Sequence, residues 1–208
     1  MPNSELVMRP YLRALILEIH GDPLYILSNF TDQYDWRLEP NPPLFKRDPL
    51  LSYFMASSIP PEPVTFDLKG RRSRDVVTYG FNYFISSKVV RLLESERISG
   101  WSTYPVGIVN KKRPDVTFRG LSVTGRFTRS LGGWDPTVGV TVGFDKDSWD
   151  RSDIFISSRG EGHIFGTDRV RDVFKRDVIT GIHFYPIDPA GTVLDMKREF
   201  EKLRRNRN

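Results

Sequence analysis

Asp145, Asp147, Asp150 and Asp153 crowd into nine residues, and His20, His163 and His183 are the chain's three imidazoles. Closely spaced carboxylates could hold calcium. That chemistry needs a ligand where Trp149 stands and a glycine where Asp150 stands. The pattern instead predicts a solvated acidic loop with Asp153 holding a turn, or an acidic patch facing a basic partner. His163 and His183 flank a predicted helix, but no further ligand falls at zinc spacing. Gly120 and Gly125 have the spacing of a phosphate loop and lack the Lys-Ser/Thr pair that grips phosphate and magnesium. No Gly-x-Ser-x-Gly nucleophile elbow occurs. The 208 residues include no cysteine, which excludes a thiol nucleophile, a cysteine zinc site, an iron–sulfur cluster and a disulfide scaffold. No catalytic, cofactor-binding or metal-ligating residue is expected, and the chain reads as a non-enzyme.

Large aromatic residues offer contact chemistry instead. Trp134 follows Gly132-Gly133. A tryptophan on a glycine loop is either a binding anchor or a local core plug. Tyr79, Phe81, Tyr83 and Phe84 form an aromatic run without interleaved basic residues, which favours core over base stacking.

Charge sets the class of partner. The net charge is +5, yet the last twelve residues alone carry +4 and leave +1 for the rest. A basic end is not a basic face, so the distribution argues against a nucleic-acid groove. Lys69–Arg74 and Lys111-Lys112-Arg113 remain as basic loops. The longest apolar stretch, around Ala14–Ile19, is far short of the roughly 20 residues a bilayer span needs. Met1–Pro10 lacks a hydrophobic leader core, so a cytoplasmic location without membrane contact is expected.

The elements that must carry these residues show an internal pattern. At a constant offset of 81, Phe84 aligns with Phe165, Val89 with Val170, Ile98 with Ile179, Gly100 with Gly181, Tyr104 with Tyr185 and Pro105 with Pro186. Each segment reads as strand, helix, glycine turn, strand. Val89, Leu92 and Leu93 make one apolar helical stripe, as do Val170, Val173 and Phe174. Ser86-Ser87 and Thr167-Asp168 supply side chains for helix N-caps. Gly100 and Gly181 suit the left-handed turn out of a helix. Strand composition recurs over residues 11–28, Val64–Leu68, Val116–Arg119, Leu121–Arg129 and Val138–Phe144. A short helix is expected over Leu50–Ser57, and an amphipathic one around Val193, Met196, Phe200 and Leu203.

The stretch Trp149-Asp150-Arg151-Ser152-Asp153-Ile154-Phe155, then Thr167-Asp168-Arg169-Val170, Thr180-Gly181 and Tyr185-Pro186, resembles the C-terminal part of a bacterial immunity-protein family. That family includes the swarming-inhibition immunity proteins of polymorphic toxin systems. The resemblance covers residues 149–187 best and 84–106 more loosely. Residues 1–80 add almost nothing to it. One branch of the group carries paired Cys-x-x-Cys-Gly motifs, absent here. The resemblance implies a small cytoplasmic protein that binds and sterically neutralises a cognate toxin, without catalysis.

The expected fold is therefore α+β. A mixed or antiparallel sheet takes strand–helix–strand copies at 84–106 and 165–187, followed by a C-terminal helix. A single domain spans 1–208, with an N-terminal strand and irregular region at 1–80 and a pseudo-duplicated region at 81–208. The expected activity is toxin neutralisation; the alternative is non-specific nucleic-acid binding through the basic tail and loops. Loops outside the repeated segments are the expected contact surface, with Trp134, Asp145, Asp147 and Arg151 as partner-binding candidates. Trp149 and Asp153 are expected to be structural.

Overall fold

The computed structural model describes residues 25–28, 37–40, 59, 64–79, 82–109, 114–128, 134–135, 139–140, 148–158 and 164–186. Its elements, in chain order, are β1 (Tyr25–Ser28), β2 (Arg37–Pro40), β3 (Thr65–Lys69), β4 (Val76–Tyr79), β5 (Asn82–Ser86) and α1 (Ser87–Ser95). There follow β6 (Trp101–Tyr104), β7 (Gly107–Val109), β8 (Phe118–Val123), β9 (Gly125–Phe127), β10 (Trp134–Asp135) and β11 (Gly139–Val140). The last are β12 (Ile154–Ser157), β13 (Ile164–Gly166), α2 (Asp168–Arg176) and β14 (His183–Pro186). The fold is α+β. The expected helices at Leu50–Ser57 and Val193–Leu203 lie outside the described residues.

The two segments do not share one sheet. The first lies in a four-stranded antiparallel sheet ordered β4-β5-β8-β6, the second in a five-stranded sheet ordered β14-β1-β13-β12-β9. In each, a hairpin precedes the helix, and the strand after the helix is separated from the hairpin by a strand from elsewhere. That inserted strand is β8 in the first sheet and β1 in the second. Registers match: Gly120 lies between Phe84 and Tyr104, and Ile26 lies between Phe165 and Tyr185. Gly120, expected to punctuate strands, runs through the middle of β8, because the Tyr104 ring occupies the space a Cβ would need. A residue 94 positions earlier in the chain thus does for the second sheet what β8 does for the first, which no local pattern reveals.

Both sheets are covered on both faces. Val76, Tyr83, Ile85, Leu121 and Val123 from the first sheet meet Leu27, Ile154, Ile156 and Ile164 from the second. The stripes Val89-Leu92-Leu93 of α1 and Val170-Val173-Phe174 of α2 join this one core. Tyr83 ties the sheets together by donating its buried hydroxyl to the Leu27 carbonyl at 2.9 Å. The opposite face of the first sheet packs Val77, Phe84 and Phe118 on Leu38 and Phe66 of the smaller sheet β2-β3-β7. Behind the second sheet, Phe127, Phe155, Phe165 and Trp149 make edge-on and stacked ring contacts. Strands buried on both faces read as continuous apolar runs, as β5 and β12 do.

The helices end alike. Each spans nine residues, and the helix-stop residues Arg97 and Val178 take left-handed φ of 52° and 51°. Gly100 and Gly181 follow with φ of 84° and 89°. The helix starts correct one expectation. Ser86 and Thr167 hold extended N-cap backbone angles, but neither side chain makes a cap hydrogen bond. Thr167 Oγ1 donates to Asp153 Oδ1 at 3.3 Å instead. No helix among the described residues is long and apolar enough to cross a membrane.

Candidate functional site

Two matched junctions link the halves of the molecule, Asp153 with Ser99 and Asp75 with Thr180. Asp153 opens β12 after the Trp149–Ser152 loop. Its Oδ2 accepts from both the amide and the hydroxyl of Ser99, each at 2.9 Å. The Asp153 amide returns a bond to Ser99 Oγ at 3.0 Å, and the Ile154 amide donates to the Ser99 carbonyl at 3.0 Å. At the other junction Asp75 does the same to Thr180. Its Oδ2 accepts from the Thr180 amide at 3.0 Å and from its hydroxyl at 2.9 Å. The Asp75 amide donates to Thr180 Oγ1 at 3.1 Å, and the Val76 amide to the Thr180 carbonyl at 3.0 Å.

A cation from each segment's own helix leans on the acid. Arg169 Nη1 sits 3.1 Å from Asp153 Oδ2, and its Nη2 donates to the Glu96 carbonyl. Lys88 Nζ sits 3.6 Å from Asp75 Oδ2 and donates to the Val178 carbonyl at 3.5 Å. The glycines that follow are forced by close approach. A Cβ on Gly100 would lie 2.0 Å from the Ile154 carbonyl oxygen, and one on Gly181 2.1 Å from that of Val76.

The Trp149–Asp153 loop is locked from below. Trp149 is buried with its ring 5.3 Å from that of Phe155. Asp150 Oδ2 accepts from the Arg126 amide at 2.9 Å and its Oδ1 from the Ser152 amide at 3.0 Å. Partial burial pushes the Asp150 carboxyl up, but the bonds from Ser152 and Arg126 outweigh it and hold the group below the usual carboxylate range. Trp149 and Asp153 thus take the structural roles expected of them. Between them Arg151 is exposed, with a left-handed φ of 63° and no side-chain partner among the described residues.

Trp134 sits in β10, opposite Val140 of β11. Asp145 and Asp147 lie outside the described residues, as do His20, His163, the basic run 111–113 and the C-terminal tail. The exposed residues that sequence reasoning passed over are Arg97 and Val178. A helix stop followed by a glycine turn demands a left-handed residue, normally glycine or asparagine. An arginine and a valine at those equivalent positions were the available signal.

No protein-family model matches this chain, and no curated protein does.

Chemically the junctions bind rather than react. The Asp75 and Asp153 carboxylates are spent on amides and hydroxyls of the partner segment. Among the described residues no group of three His, Cys, Asp or Glu is placed to hold a metal ion.

Proposed function

We propose that this chain is an immunity protein that binds a cognate toxin and blocks it sterically, with Arg151 as a central contact. The observation that carries this reading is the Trp149–Asp153 loop. Its tryptophan and both aspartates are engaged internally, while Arg151 stands out on a strained backbone with no side-chain partner among the described residues. Residues kept in sparsely populated backbone regions gather at binding surfaces. Arginine is among the residues that dominate interface energetics. The residue-level resemblance over 149–187 supports the same reading. The matching caps, helix stops and strand registers support the further proposal that 84–106 and 165–187 are two copies of one unit.

The test is capture from source-cell lysate on the full chain, with nuclease treatment and a high-salt wash. One stoichiometric protein should survive both, be lost on Arg151→Glu, and be toxic when expressed alone. Loss of all bound material with nuclease or salt would instead support the nucleic-acid alternative, for which exposed Arg71 and Arg72 in the 69–74 loop are the described candidates.

A further inference from the structure

The strands and helix around each repeated segment make the same five-element unit. In the first unit, the hairpin β4-β5, then α1, β6 and β8, give the sheet order β4-β5-β8-β6. In the second, the hairpin β12-β13, then α2, β14 and β1, give the order β12-β13-β1-β14. Every neighbouring pair within both sets is antiparallel. Only the chain order differs. β8 follows β6 across residues 105–117, whereas β1 precedes every other described element. Yet Pro186, the last residue of β14, lies directly opposite Tyr25, the first of β1. Antiparallel strands that meet end to start have the geometry of a hairpin without its link.

A closing strand that comes from residues 25–28 has residues 29–153 between itself and β12, a far longer loop to close than that before β8. Two side-chain ties offset that cost. Arg171 of α2 donates to the Tyr25 hydroxyl, and its guanidinium carbon lies 4.7 Å from the centre of the Tyr25 ring. Asp168 and Asp172 pair with the same guanidinium at 2.5 and 2.7 Å. From the first unit, Tyr83 donates to the Leu27 carbonyl at 2.9 Å. At the offset of 81, Val90 stands in place of Arg171 and Ile164 in place of Tyr83. Neither counterpart has a side-chain donor, so β8 receives no matching tie.

We infer that the chain is a circularly permuted tandem of this unit. β1 is the closing strand of the second copy, carried at the front of the chain, and Arg171 and Tyr83 are the positioning residues that seat it. The inference rests on the two-copy reading and does not need a toxin.

A permuted chain tests the order, with residue 208 joined to residue 1 through a short Gly-Ser linker and new ends opened between Gly132 and Gly133. There β12, β13, α2, β14 and β1 run in the order of the first unit. This chain should melt within a few degrees of the natural one and refold at least about threefold faster, because closer sequence spacing of contacts speeds folding. A permuted chain that stays unfolded, or refolds no faster, would overturn the inference. Hydrogen exchange on the natural chain tests the seating without any permutation. Arg171→Met and Tyr83→Phe should each speed exchange of the β1 amides at least about tenfold and that of the β8 amides less than about threefold. Equal acceleration in both strands would remove the seating role, since the ties would then serve the core at large. Very different melting-temperature losses in Asp75→Ala and Asp153→Ala would sink the two-copy reading and leave the seat of β1 intact; a failed permuted chain would leave the copies and sink the permutation.

Discussion

Asp153 closes on Ser99 through the same set of hydrogen bonds by which Asp75 closes on Thr180, with corresponding distances within 0.1 Å. Each acid stands just ahead of the hairpin that leads into one segment, and each hydroxyl lies in the other segment, so the two halves hold one another reciprocally. Hydrogen bonds to a charged acceptor contribute roughly 1.5–3 kcal/mol each. Asp153→Ala and Asp75→Ala should each destabilise the fold by about 2–4 kcal/mol in urea denaturation. The Arg169 and Lys88 contacts, both half-exposed, should add little. A double-mutant cycle between Asp153→Ala and Ser99→Ala should show coupling of at least about 1 kcal/mol; additivity would mean the contact is idle.

Gly100 and Gly181 combine a left-handed backbone with no room for a methyl group. The atoms in the way are backbone carbonyls of β12 and β4, which cannot swing aside. Gly100→Ala and Gly181→Ala should therefore each cost more than about 3 kcal/mol, above the ordinary range for a single substitution. Thermal melts of the two variants check this, and a cost under about 1 kcal/mol for either would show that the junction yields.

Asp150 has its carboxyl pKa lowered in the fold, so its contribution to stability is full above the unfolded value of about 3.9 and fades as pH falls through the folded value. Acidification below about pH 4 should loosen the 148–152 loop, seen as a change in Trp149 fluorescence. Asp150→Asn should remove that acid-side transition, and its persistence in the variant would assign it to another carboxylate.

Tyr104 is buried with a hydroxyl that has no hydrogen-bond partner among the described residues, and burial pushes its pKa up to about 12. The unfolded chain releases this proton near pH 10, so the folded state binds more protons between pH 10 and 12 and loses stability as pH rises through that window. Wild type should lose about 2–3 kcal/mol more than Tyr104→Phe across that range. At neutral pH Tyr104→Phe should be more stable by about 1 kcal/mol, since it removes a desolvated hydroxyl and keeps the ring over Gly120. Paired denaturation curves at pH 7 and pH 12 measure both effects.

Helix positions were legible because a short helix declares its buried face by spacing alone. Val89, Leu92 and Leu93, and their counterparts Val170, Val173 and Phe174, are buried as the stripe requires. The glycine turns were legible for the same local reason. The capping roles of Ser86 and Thr167 were misread, because a nearby acid competes for Thr167 and nothing in one-dimensional order announces that competitor. Of the candidate contact residues, only Arg151 has a described side chain at a junction. Its prominence comes from Trp149, Asp150 and Asp153 turning inward around it.

By itself the sequence determined what depends on neighbours along the chain: two helices 81 residues apart, their apolar faces, and the turns that end them. Tertiary structure alone decided which strands meet. Hydrogen bonding in a sheet joins residues at any chain separation, so β1 could become the strand between β13 and β14 without any local mark. It also decided that Asp75 and Asp153 serve the opposite segment, and that Arg97, Arg151 and Val178 are left facing outward on left-handed backbone. Those outcomes depend on which groups have already found partners, and partnership is a property of the assembled core rather than of residue order.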